Sequence, residues 1–146
     1  MTREHLSVIA ATARYKLEIL KGVFAKSELN IEQKAFGTNY GLTAKVRKDT
    51  FNLTKGIPKE HVADNASGVL IHREFCQNCG SFILEYGWDS NKEINQDAAK
   101  DYFRYICVGS LDDPEALPPK GEFFCKARAS WMPEIPNVFH KQAINE

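Results

Sequence analysis

Apolar and polar positions alternate with a period near two along most of this chain, the signature of strands with one buried and one wet face. Between Leu6 and Leu20 the alanines would suit a helix. Alternation through Val8, Ala10, Thr12 and Arg14-Tyr15-Lys16-Leu17-Glu18-Ile19 instead predicts one or two strands. Tyr40 to Val46 and Phe51 to Thr54 predict short strands around the polar turn Arg47-Lys48-Asp49, and Lys55-Gly56-Ile57-Pro58-Lys59 predicts a loop. Val69 to Phe75 and Ser81 to Tyr86 predict a hairpin, and Phe103 to Val108 and Glu122 to Ala127 predict the last strands. Between those two, Asp112-Asp113-Pro114-Glu115-Ala116-Leu117-Pro118-Pro119 reads as a turn with one helical turn, since Asp caps and proline fixes the backbone. The polar segment from Asp89 to Asp101 reads as a surface excursion with a short helix. Many short strands at regular spacing predict an all-β sandwich or open barrel. No repeat, low-complexity tract or linker divides residues 1–146, so a single domain is expected.

Length and charge narrow the function. A chain of 146 residues buries a sizeable core without staples. Its 19 basic and 19 acidic residues cancel and form no block, which argues against nucleic acid and anionic lipid as partners. No run approaches the roughly 20 apolar residues of a membrane span. The start, Met1-Thr2-Arg3-Glu4-His5-Leu6, lacks the apolar core of a secretory signal. Four cysteines, two of them in one C-x-x-C, suit a reducing compartment, so a cytoplasmic location is expected.

The chemistry concentrates in Arg73-Glu74-Phe75-Cys76-Gln77-Asn78-Cys79-Gly80-Ser81. Two cysteines three apart followed by glycine form a knuckle that aims both sulfurs at one point, with Gly80 supplying a left-handed backbone. A tetrahedral zinc needs two further soft ligands. Cys107 and Cys125 stand alone in apolar runs and read as buried small hydrophobes. Three readings of Cys76 and Cys79 follow: a relic knuckle with free thiols, a residual half-site for zinc, or a redox pair lacking the helix N-terminus that lowers a thiol pKa.

The same block, the later Val108-Gly109-Ser110-Leu111-Asp112-Asp113-Pro114 and the closing Lys126-Ala127-Arg128-Ala129-Ser130-Trp131 resemble the glutathione-dependent formaldehyde-activating enzyme family, which includes centromere protein V. The likeness extends upstream through Phe51-Asn52-Leu53-Thr54-Lys55-Gly56 and Gly37-Thr38-Asn39-Tyr40; residues 37–132 match best and 1–36 diverge. The resemblance implies a twisted β-sandwich around a zinc-ribbon-like knuckle, with two zinc sites. It also implies a carbon-sulfur lyase reaction run formally in reverse, glutathione adding to formaldehyde to give S-hydroxymethylglutathione.

Laid on this chain, the family pattern loses its ligands. The first strand, C-x-C-G-x-V-R-Y in the family, falls on Val8-Ile9-Ala10-Ala11-Thr12-Ala13-Arg14-Tyr15, with Val8 and Ala10 where cysteines are expected. The substrate-side motif, C-x-C-x-x-C-x-K, falls on Ser27-Glu28-Leu29-Asn30-Ile31-Glu32-Gln33-Lys34. Arg14-Tyr15 and Gln33-Lys34 keep the register, which favours substitution over a replaced N-terminal segment. Serine and glutamate are hard oxygen donors and leucine is none, so a catalytic zinc is not expected there. Zinc remains a candidate only at the degenerate structural half-site, Cys76 and Cys79.

The candidates for catalysis are then Glu32, Lys34, Tyr40 and His72, and for a ligand pocket Tyr40, Arg128 and Trp131. Each also has an ordinary reading: Glu32 and Lys34 as a solvated loop, His72 as a half-buried strand residue, the other three as packing. His5, His61 and His140 are expected in termini or loops. The sequence supports a small enzyme of carbon-sulfur lyase ancestry acting on a glutathione adduct or small electrophile, without the family's catalytic zinc. Its rivals are a noncatalytic descendant binding a small molecule or protein, and a metal-free isomerase or dehydratase. The sequence sets no oligomeric state.

Overall fold

The computed structural model describes residues 4–9, 14–19, 24–27, 34–64, 70–88 and 102–143. Its elements are β1 (Glu4–Ile9), β2 (Arg14–Ile19), β3 (Phe24–Ser27), β4 (Gly41–Arg47), β5 (Phe51–Lys55), β6 (Lys59–Asp64), β7 (Leu70–Phe75), β8 (Phe82–Trp88), β9 (Phe103–Cys107), β10 (Gly121–Phe123) and β11 (Phe139–His140). The architecture is all-β, in two sheets: β1-β2-β5, and an eight-stranded sheet ordered β11-β10-β3-β4-β9-β8-β7-β6. The alternation between residues 6 and 20 therefore marks two strands, paired antiparallel with Val8 opposite Tyr15 and extended by β5.

Period two sets the core. Ala44 on β4 pairs with Ile106 on β9, which pairs with Leu84 on β8, and all three are buried. Full burial of an aliphatic side chain such as Leu84 contributes about 1.5–3 kcal/mol. Val46, Cys76, Ile83, Val108, Leu111 and Leu117 complete this cluster. Phe51 on β5 packs against it, which brings the smaller sheet to the larger one. Arg104 faces the same side as Ile106, one alternation along β9, and so is buried although charged.

Several elements differ from the expectation. β6 follows directly on the Lys55–Pro58 loop; with only Val62 and Ala63 apolar it carries no strand signal, and as an edge strand it needs little. β3 and the two-residue β11 are likewise additions, both paired parallel or antiparallel within the large sheet. The expected strand from Glu122 to Ala127 ends at Phe123: Phe124 turns left-handed (φ 56°) and Cys125–Ala127 form a 3-10 turn. Cys125 is buried as expected but in that turn, whereas Cys107 is only half-buried. His5, His61 and His140 stand on strands rather than in termini or loops. The helical turn expected after Asp113 is present at Pro114–Ala116, where the Asp113 carboxylate accepts the Glu115 N–H at 3.1 Å. The expected excursion at 89–101 lies outside the described residues.

Candidate functional site

The β7–β8 connection is the tight turn the cysteine spacing predicts. Cys76 N–H donates to the Ser81 carbonyl at 2.9 Å, and Gly80 N–H donates to the Cys76 carbonyl at 2.8 Å. Gly80 takes φ +72°, a backbone that L side chains rarely adopt. The thiols have different surroundings: Cys76 is buried in the core cluster, while Cys79 is exposed with its sulfur 3.0 Å from the Ser81 hydroxyl.

Ser81 opens onto a cleft of about 1180 Å³. The wall nearest the turn carries Phe36, Tyr40 and Phe82, with the Phe36 and Phe82 rings 4.7 Å apart. Cys107, at the end of β9, and Ser110, in the turn that follows, also line the cleft. A further stretch of its wall is the segment from Trp131 to Pro136, where Pro133 and Pro136 preclude a regular ladder. Tyr40 and Trp131, far apart in sequence, thus line one cleft; both keep a large exposed surface, 40% and 70%.

Arg128 is not among the lining residues. Its Nε donates to the buried Glu122 carboxylate at 3.2 Å, behind the Trp131–Pro136 wall. Lys34 is exposed on a helical turn at 34–36, two residues before the cleft begins at Phe36. Glu32, Leu29 and Ala10 lie outside the described residues; Ser27 ends β3.

His72 belongs to a second cluster, on the face of the large sheet that carries Tyr86 and Arg104. Val62, His72 and Tyr86 are successive cross-strand partners, and Glu60 on β6 reaches diagonally to both aromatic rings. The Tyr86 hydroxyl donates to Glu60 Oε2 at 2.6 Å, and His72 Nδ1 stands 3.0 Å from Glu60 Oε1. The His72 and Tyr86 rings stack at 4.7 Å and 10°. On the other side of Tyr86, the Arg104 guanidinium sits 3.8 Å from the ring centroid. The hydrogen bond from Tyr86, then that from His72, hold the Glu60 carboxyl below its ordinary value. Burial first, then the bond to Glu60, hold the Tyr86 phenol well above its own. An ionised Glu60 can only accept, so the His72 proton lies on Nδ1 and Nε2 is left as the basic nitrogen.

Sequence reasoning did not find Glu60, Tyr86, Arg104 or Glu122. The signal available for Glu122 was a charge at the head of the apolar run Phe123-Phe124-Cys125; for the others it was only the cross-strand register.

An all-β protein with a cysteine turn beside an open aromatic cleft is the class these features define. The profile of the family described as glutathione-dependent formaldehyde-activating enzyme matches residues 31–127, and the chain belongs to that family. The match takes in Lys34, Tyr40, His72, Cys76 and Cys79 and stops short of Arg128 and Trp131. A comparison with curated proteins gives no match. No helix among the described residues is long and apolar enough to cross a membrane.

The family implies zinc, and the sequence is expected to lack the donors for its sites. Valine, alanine and leucine offer no ligand atom, and among the described residues no group of three or more His, Cys, Asp or Glu side chains could hold a metal ion. Cys76 and Cys79 are two thiols, one buried and one exposed, and two ligands fall short of the four of a structural zinc.

Proposed function

We propose that this family member binds a small glutathione-derived adduct in the cleft between Tyr40 and Trp131 and acts on it without the family's catalytic zinc. The observation that carries the reading is the cleft itself, which brings Phe36 and Tyr40 together with Trp131. Aromatic walls with a few polar groups suit a small organic ligand. Phe36, Tyr40, Phe82 and Trp131 supply apolar surface for the adduct's carbon chain, while Ser81, Ser110 and Asn39 offer hydrogen bonds to its peptide groups. With serine, leucine and glutamate at the family's thiolate positions, the stabilised thiolate needed to condense free glutathione with formaldehyde is not supplied. A cytoplasmic setting, where glutathione is abundant, fits four cysteines that form no disulfide.

The test is titration of the protein with S-hydroxymethylglutathione, formed in solution from glutathione and formaldehyde, while tryptophan fluorescence is followed. Saturable change is expected, weakened at least ten-fold by Y40A and lost in signal and affinity by W131A. Unchanged affinity in both variants would remove the cleft as the binding site.

A second reading has its own observation. Glu60 orients His72 as an acid/base pair on the sheet face, the arrangement a metal-free isomerase or dehydratase needs. It would be preferred if H72A abolished a turnover that Y40A left intact.

A further inference from the structure

The Trp131–Pro136 wall is held from behind by a carboxylate that the proposed function leaves unused. Glu122 on β10 has none of its surface exposed, and a carboxylate taken out of water persists as an ion only when its oxygens are compensated. Its Oε1 accepts from Arg128 Nε at 3.2 Å. Its Oε2 accepts the Ile135 backbone N–H at 3.2 Å and lies 3.1 Å from His140 Nε2. That same Nε2 is 3.0 Å from the Ile135 carbonyl. Carboxylate and carbonyl are both acceptors, so Nε2 carries the proton and shares it between them.

Residue 135 is therefore gripped at both polar groups, its N–H by Glu122 and its C=O by His140. Pro133 and Pro136 on either side have no N–H, which leaves the Ile135 amide as one of few donors by which this stretch of wall is tied down. The clasp is anchored in turn. Lys141 N–H donates to the Glu122 carbonyl at 2.8 Å, Cys125 N–H donates to the Lys141 carbonyl at 3.0 Å, and the Phe139 ring meets Phe123 edge-on at 5.3 Å. Glu134 extends the network outward, 3.9 Å from both Arg128 Nη1 and His140 Nε2.

We propose that Glu122 is the positioning residue of the cleft: through the Ile135 peptide it fixes where Trp131 and its neighbours stand, and so sets ligand affinity without touching the ligand. This rests on the reading of the cleft as the binding site. A purely structural ion pair would instead contribute to the stability of the whole sheet and leave the wall no more mobile than the core.

Two readouts separate these. Amide hydrogen exchange over residues 129–136, and the affinity for S-hydroxymethylglutathione, are compared in wild type, E122Q and H140A. Glutamine keeps one acceptor oxygen but cannot satisfy Arg128, His140 and Ile135 together. In E122Q, exchange at Ile135 is expected to quicken by at least about ten-fold, the lower bound for losing one hydrogen bond to a charged group, with β4, β8 and β9 unchanged and the adduct bound about ten-fold more weakly. H140A, at the exposed strand end, is expected to shift both in the same direction by less. Wild-type exchange at Ile135 in E122Q, an equal rise in β4, β8 and β9, or a loosened wall with unchanged affinity would each overturn the proposal. If the wild type binds no adduct, the cleft reading fails by itself. The exchange comparison then still decides whether Glu122 holds the wall.

Discussion

Removing the Tyr86 hydroxyl, and then its ring, separates two contributions of the sheet-face cluster. Y86F deletes only the 2.6 Å bond to Glu60 and keeps the surfaces against His72 and Arg104. A hydrogen bond to a charged group contributes about 1.5–3 kcal/mol; with the Glu60 side chain 38% exposed, water replaces part of it, and about 1 kcal/mol is expected. Y86L also removes the π face under Arg104, a contact worth about 2 kcal/mol when desolvated, and leaves a cavity, so about 3 kcal/mol is expected. The assay is urea unfolding between pH 3 and pH 11. Glu60 titrates below its unfolded value of about 4.3, so its contribution is complete above that pH and fades as pH falls through the lowered folded value. The Y86F deficit should shrink in that acid range. Tyr86 is raised in the folded state, so its contribution is complete below about pH 10 and is lost as pH rises through the folded value. A Y86F deficit as large as that of Y86L, or one independent of pH, would refute this division.

At Gly41 an added Cβ would collide with the Phe36 ring, so G41A should displace that ring from Phe82 and weaken adduct binding in the titration, with little change in Tm because the ring can swing outward. Equal affinity in G41A would show that Phe36 does not shape the cleft. The two cysteines should part company: C76S puts a hydroxyl into the core and is expected to cost about 1–3 kcal/mol in denaturant unfolding, whereas C79S at the exposed position should be within about 0.5 kcal/mol of wild type. Equal losses, accompanied by release of bound zinc, would point to a shared metal.

What the sequence shows of this fold is what burial writes into it. Tyr40 to Val46 and Phe103 to Val108 reveal their strands because Ala44, Val46 and Ile106 must face one side. The cysteine turn is legible from its spacing and Gly80. β6 and β11 are not, because edge strands held by backbone pairing need no apolar face. Phe124 breaks the expected last strand through a left-handed turn that its sequence does not announce, since an aromatic there reads as strand. The meeting of Tyr40 with Trp131 and the turn of Arg128 toward Glu122 depend on how β10 sits beside β3, a parallel pairing across a long stretch of chain. Glu60, His72, Tyr86 and Arg104 become neighbours only through the register of four strands.

The cleft is proposed to bind a glutathione adduct with no zinc in it. Isothermal calorimetry of protein stripped with a chelator and titrated with S-hydroxymethylglutathione tests it most directly, with the same titration repeated after one equivalent of zinc is added. Saturable binding at one site per chain is expected in both, with the same affinity. Binding that appears only with zinc, accompanied by condensation of free glutathione and formaldehyde, would contradict it.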